Sequence, residues 1–136
     1  MTNRAFLILT LLAATACAAV TDLIGGLPPL REHQDTYLEL IQEVRRGKIQ
    51  PGCPVALPKA HRALNSKGEF FVERQPNQTV ILFPTWYGRG KDVQGWLYSS
   101  SPSELPRSGR IHMCGLDQLD ITLEHRNWFR AIRRME

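Results

Sequence analysis

The spacing of apolar positions changes character along the chain. Residues 5–12 are apolar except for Thr10, and residues 13–19 are small, with Cys17 among them. Residues 20–31, carrying Gly25-Gly26 and Pro28-Pro29, read as a linker. Tyr37, Leu38, Leu40, Ile41 and Val44 then recur at helical spacing, with Glu39, Gln42, Glu43 and Arg45 on the other side. That pattern predicts an amphipathic helix over residues 32–46. Asp35 suits its first turn, Arg45 and Arg46 suit its last, and Gly47 supplies a left-handed stop.

From Gln50 onward, Pro, Gly and Asn clusters separate short runs rich in β-branched and aromatic residues, the pattern of strands and turns. Residues 53–57 form a short edge strand limited by Pro54 and Pro58. Residues 69–74 and 79–83 read as a hairpin joined by Gln75-Pro76-Asn77-Gln78, and residues 94–99 as the next strand after a glycine turn at 88–92. Residues 110–114 and 119–124 follow a Ser/Pro-rich loop. In the second of these, Leu119, Ile121 and Leu123 alternate with Asp120, Thr122 and Glu124, which predicts one wet face. Residues 127–134 fit either a helix or a strand, and the preceding turn favours a strand. The fold class that follows is α+β: one N-terminal amphipathic helix packed on a twisted antiparallel sheet of about five or six short strands. The domain organisation is a leader over residues 1–19, a linker over 20–31 and one domain over 32–136.

The first nineteen residues have the layout of an export signal: a polar start with one positive charge, an apolar run, then small residues. Leu12-Ala13-Ala14-Thr15-Ala16-Cys17 resembles a bacterial lipoprotein signal, in which an apolar run ends in small residues directly before a cysteine. The resemblance implies cleavage before Cys17 and a lipid on that residue. Simple cleavage after Ala16 or Ala18 is the alternative. Retention as an anchor ranks last, because the uncharged residues 5–21 span about 25 Å as a helix against a hydrocarbon core of about 30 Å. Arg4-Ala5-Phe6-Leu7-Ile8-Leu9 also resembles a type IV pilin leader, although Thr10 stands where a glutamate is expected and Pro28-Pro29 would interrupt the long helix.

Removing a leader leaves about 115 residues, enough for one hydrophobic core. The chain carries 17 Lys plus Arg against 13 Asp plus Glu, so it is mildly basic, which permits contact with acidic lipids or envelope polymers. With Cys17 assigned to the leader, Cys53 and Cys114 remain, and in an exported domain such a pair is most simply one disulfide.

No motif reaches the specificity of a catalytic or cofactor signature. Thr85-Trp86-Tyr87-Gly88-Arg89-Gly90-Lys91 fails as a phosphate-binding loop: Thr85 stands where Gly is needed, and Asp92 where Ser or Thr should follow the lysine. Its functional reading is a surface loop in which Trp86 or Tyr87 stacks on a ligand ring while Arg89 and Lys91 meet an anion. The competing reading is a glycine turn whose aromatics enter the core. His33, His61, His112 and His125 lack zinc spacing, and a disulfide would consume the thiolates that could join His112 in a metal site, so no metal or cofactor is expected. Cys53 lacks a nucleophile's setting, and Ser99-Ser100-Ser101 lacks the nucleophile elbow. The terminal mixture of Arg126, Trp128, Phe129, Arg130, Arg133 and Arg134 would suggest nucleic acid in a cytosolic chain, but export makes a membrane or anionic envelope polymer the better partner.

The expectation is therefore a non-enzymatic, membrane-tethered envelope protein, a binding or structural accessory domain that meets the membrane through its leader or lipid and meets an envelope polymer or another envelope protein. A small extracytoplasmic hydrolase is the alternative, marked by a pocket with His61, His112 or His125 beside a carboxylate. A pilin-like subunit is the third reading, marked by an apolar helix running on toward Arg46.

Overall fold

The structure, a computed structural model, describes residues 27–134. The leader, Cys17 and the first part of the linker lie outside the described residues. Leu27 to Pro29 precede a 3-10 turn at Leu30–Glu32 and the helix α1 at Gln34–Arg45. Seven strands follow: β1 (Gly52–Ala56), β2 (Glu69–Gln75), β3 (Gln78–Tyr87), β4 (Val93–Ser99), β5 (Ser108–Met113), β6 (Leu116–His125) and β7 (Trp128–Arg133).

Helix α1 ends where the sequence says it should. Gly47 has φ +77°, its N–H bonds the Val44 carbonyl at 3.1 Å, and the Lys48 N–H reaches back to the Glu43 carbonyl at 2.9 Å. These two bonds make the glycine-terminated stop that satisfies the last carbonyls of a helix. The helix buries Tyr37, Leu40, Ile41 and Val44, each worth about 1.5–3 kcal/mol of transfer free energy. Leu38 stays on the outside, 44 % exposed.

All seven strands join one antiparallel sheet in the order β1-β2-β3-β4-β7-β6-β5. The sheet has two apolar faces. On one, α1 covers Phe70, Val72, Ile81, Phe83, Trp96 and Trp128, with Tyr37 stacked on Phe83 at 4.4 Å between ring centroids. On the other, Phe71, Val80, Leu82, Leu97, Met113, Leu119, Ile121 and Phe129 pack against one another with no helical residue among them. A sheet can bury such a face unaided only by curling around it, and this one forms a half-barrel.

The expected helix on five or six strands is thereby corrected. The chain is mostly a curled seven-stranded sheet, and α1 is one short element on its outer side. Both doubtful segments pair: the proline-limited β1 is an edge, whereas the ambiguous terminal segment becomes β7, inserted between β4 and β6. The wet face of β6 is as expected, with Leu119 and Ile121 buried and Asp120, Thr122 and Glu124 exposed.

A disulfide joins Cys53 to Cys114. Cys53 lies in β1 and Cys114 in the turn after β5, so the bond ties the two edges of the sheet together. The Cys114 N–H also donates to the Glu73 carboxylate on β2 at 3.3 Å.

Candidate binding face

The aromatic and basic residues of the 85–91 string sit where β3 turns into β4. Up to Pro84, β3 alternates Ile81 and Phe83 toward the helix with Val80 and Leu82 toward the inner core. A bulge then intervenes: Pro84 pairs with Gly95, but Trp86 pairs with Gln94. The extra residue, Thr85, donates its hydroxyl to the Gln94 carbonyl at 3.2 Å. One inserted residue reverses the alternation beyond it. Tyr87 is consequently packed against the inner core, and Trp86 emerges on the outer face, 49 % exposed.

The two aromatics therefore have different fates. The Tyr87 hydroxyl donates to Glu69 Oε1 at 3.4 Å, and Lys67 Nζ stands 4.5 Å from the Tyr87 ring centroid. Burial, then the neighbouring Glu69 charge and this hydrogen bond, push the Tyr87 phenol well above its ordinary ionisation range. Asn65 sets these neighbours in place, because its side-chain amide donates to the carbonyls of Glu69 at 2.8 Å and Pro84 at 3.1 Å. Trp86 instead lies across Gly88, where a Cβ would collide with its Cη2 atom. Arg89 and Lys91 are exposed in the turn, which is closed by bonds from the Gly88 N–H to the Asp92 carbonyl and from the Asp92 N–H to the Arg89 carbonyl, both 3.0 Å. Of the four residues singled out by sequence, Trp86, Arg89 and Lys91 face solvent together while Tyr87 braces the turn from below.

Pairing extends the Trp86 position across five strands. Trp86 opposes Gln94, Gln94 opposes Ile132, Ile132 opposes Asp120 and Asp120 opposes Arg110. Residues paired this way share one face, so this row crosses the outer sheet beyond the edge of α1. Arg110 bridges Asp120 at 3.3 Å, and in the neighbouring rows Arg130 bridges Glu124 at 3.0 Å. The described chain begins beside this row: Leu27 lines a shallow cavity of about 220 Å³ with Gln94, Thr122, Arg130 and Ile132. Trp96 fixes that segment by donating its Nε1–H to the Pro28 carbonyl at 3.0 Å.

Two other groupings were not legible in the sequence. Arg133 is buried at the end of β7, donating through Nε to the Asp117 carbonyl at 2.8 Å and through Nη2 to Asp117 Oδ1 at 2.9 Å. The hydrogen bond from Arg133 holds the Asp117 carboxyl below its ordinary value. The pair borders a cleft of about 800 Å³ with Arg110, Gln118, Asp120, Ile132 and Arg134. The only sequence signal was an arginine at an inward-facing strand position. Elsewhere, His61 Nε2 lies 3.6 Å from Glu39 Oε2, joining the 3-10 turn Lys59–Leu64 to α1 beside a depression of about 330 Å³ that also meets Glu43 and Lys48. His112 and His125 are exposed. Among the described residues no three His, Cys, Asp or Glu side chains are arranged to hold a metal ion. Nor is any described helix long and apolar enough to cross a membrane.

No protein-family model, curated protein or solved structure matches the chain.

Proposed function

We propose that this chain is an exported, membrane-tethered, non-enzymatic envelope protein whose folded domain serves as a binding or structural accessory, with Trp86, Arg89 and Lys91 as its contact residues and Cys17 as the point of lipid attachment. The observation that carries the reading is the Cys53–Cys114 disulfide, since such bonds persist in oxidising compartments and are uncommon in the cytosol. It agrees with the export-type leader, and the two features are independent in sequence. Residues 27–29 lie outside any helix, so the helix that a pilin-like subunit needs is interrupted there.

The test is the intact mass of protein extracted from membranes, measured with and without reduction. Tethering predicts a chain beginning at Cys17 with the added mass of lipid, and a gain of two protons on reduction. A cytosolic chain that keeps its first residues and carries free thiols overturns the proposal.

A second reading, a small extracytoplasmic hydrolase, is favoured by the His61–Glu39 pair at its depression. The residues lining it offer no hydroxyl or thiol, so His61 would act as base on a water oriented by Glu39. Hydrolysis of a nitrophenyl ester that is lost in both His61→Ala and Glu39→Gln would establish it, and unchanged turnover in both would dismiss it.

A further inference from the structure

We propose that the strip of outer sheet left open by α1, running from Trp86 through Gln94 and Ile132 to Asp120, docks on the anionic headgroup surface of a lipid bilayer, with Trp86 at the lipid–water interface and Arg89 and Lys91 on the phosphates. The inference rests on the tethered reading given above and adds an orientation to it. Its first support is where the chain enters the fold. Leu27 lies beside Gln94, the residue paired with Trp86, and the Trp96 bond to Pro28 fixes this entry point. From Leu27 back to Cys17 the chain can extend at most about 35 Å. A lipid on Cys17 thus keeps the domain within about its own diameter of the bilayer, with the entry point beside this strip and the first turn of α1.

The second support is chemical. The face combines a half-exposed indole, the partly buried Ile132 and the exposed cations Arg89 and Lys91, which outnumber Asp92 in the same turn, while the further acidic residues Asp120 and Glu124 are each matched by an arginine. Tryptophan is favoured at headgroup depth, and each nearby cation is drawn to an anionic surface. The third is rigidity. Trp86 is aimed outward by the β3 bulge and laid across Gly88, so presenting it costs little ordering on contact.

The chain's other two tryptophans, Trp96 and Trp128, are buried, so the indole open to its surroundings is Trp86. The test uses full-length protein extracted from membranes and reconstituted in phosphatidylcholine vesicles with or without phosphatidylglycerol, the acyl chains carrying bromine as a quencher. Docking predicts quenching and a blue shift in the anionic vesicles, both absent in Trp86→Phe. In Arg89→Gln/Lys91→Gln the ratio of docked to undocked protein should fall about 30-fold, from the usual gain per cation at such surfaces. Protein that sediments with anionic vesicles while Trp86 stays unquenched overturns the docking and leaves the tether standing. Protein left in the supernatant with Trp86 unquenched overturns both. Dextran sulfate shielding Trp86 from acrylamide as well as the anionic vesicles do would assign the face to a soluble polyanion and overturn the lipid assignment.

Discussion

Cys53 and Cys114, 61 positions apart in the chain, bond the first strand in the spatial order of a single sheet to the turn that follows its last, β5. The half-barrel is thereby closed covalently on the side where no backbone ladder joins β1 to β5. A loop of that length restricts the unfolded chain by about 4 kcal/mol in the chain-entropy account. Cys53→Ser/Cys114→Ser should therefore lower the unfolding free energy by about 4 kcal/mol, read from urea midpoints. Amide exchange should rise first in β1 and β5, and uniform acceleration across the sheet would contradict this edge role.

Two glycines separate steric from conformational demand. A Cβ on Gly95 would strike the Phe83 carbonyl oxygen of the adjacent central strand, which cannot swing aside like a side chain. At Gly47 no atom lies within 4 Å, but φ is +77°. Gly47→Ala should cost about 1 kcal/mol through backbone strain alone. Gly95→Ala should cost nearer the upper end of about 1–3 kcal/mol for overpacking, and should disturb near-UV circular dichroism from the Phe83 and Trp96 environment. Equal losses would refute the distinction.

At alkaline pH, Tyr37 governs the helix face. Burial first, and the Glu32 charge second, push its phenol from 10.0 up to about 12. The sign follows from linkage: the neutral form is favoured by the fold, so this contribution is complete below pH 10 and disappears as pH rises through about 12. Tyr37→Phe should flatten the stability profile across that window, as judged by thermal midpoints. A variant that loses stability as steeply as the wild type would place the alkaline transition elsewhere.

At acid pH the Asp117–Arg133 pair acts with the opposite sign. Asp117 has a folded value below its ordinary 3.8, so its contribution is present above that pH and is lost as the pH falls through the depressed value. The stability difference between wild type and Asp117→Asn should thus be constant near neutrality and shrink below pH 3.8. No difference at any pH would mean that the Arg133 bond to the Asp117 backbone carbonyl, which the variant keeps, carries the whole interaction.

Much of the element order could be read from local chemistry. Gly47 marks the helix end, and Pro, Gly and Asn clusters separate each strand from the next. Closure of the sheet was harder to see, because strand pairing between distant segments leaves no local mark. One signal was nevertheless available: Val80-Ile81-Leu82-Phe83 is an unbroken apolar run, which implies burial on both faces and hence two cores rather than one. Pro84 concealed the rest of β3, since proline normally ends a central strand; here it sits at a bulge, with its carbonyl taken by Asn65. The candidate face was legible as composition but not as direction. Nothing in Trp86-Tyr87 says which ring points outward, and that is decided by Thr85, the residue that the opposite strand leaves unmatched.

The position of β7 has a consequence for the order of events during synthesis. It follows the other described strands in the chain, yet it fills the gap between β4 and β6. Until Arg133 has emerged, the two halves of the sheet have no common neighbour, and the inner core lacks Phe129 and Ala131. Each half can pair within itself, but the seven strands become one sheet only when β7 docks between them.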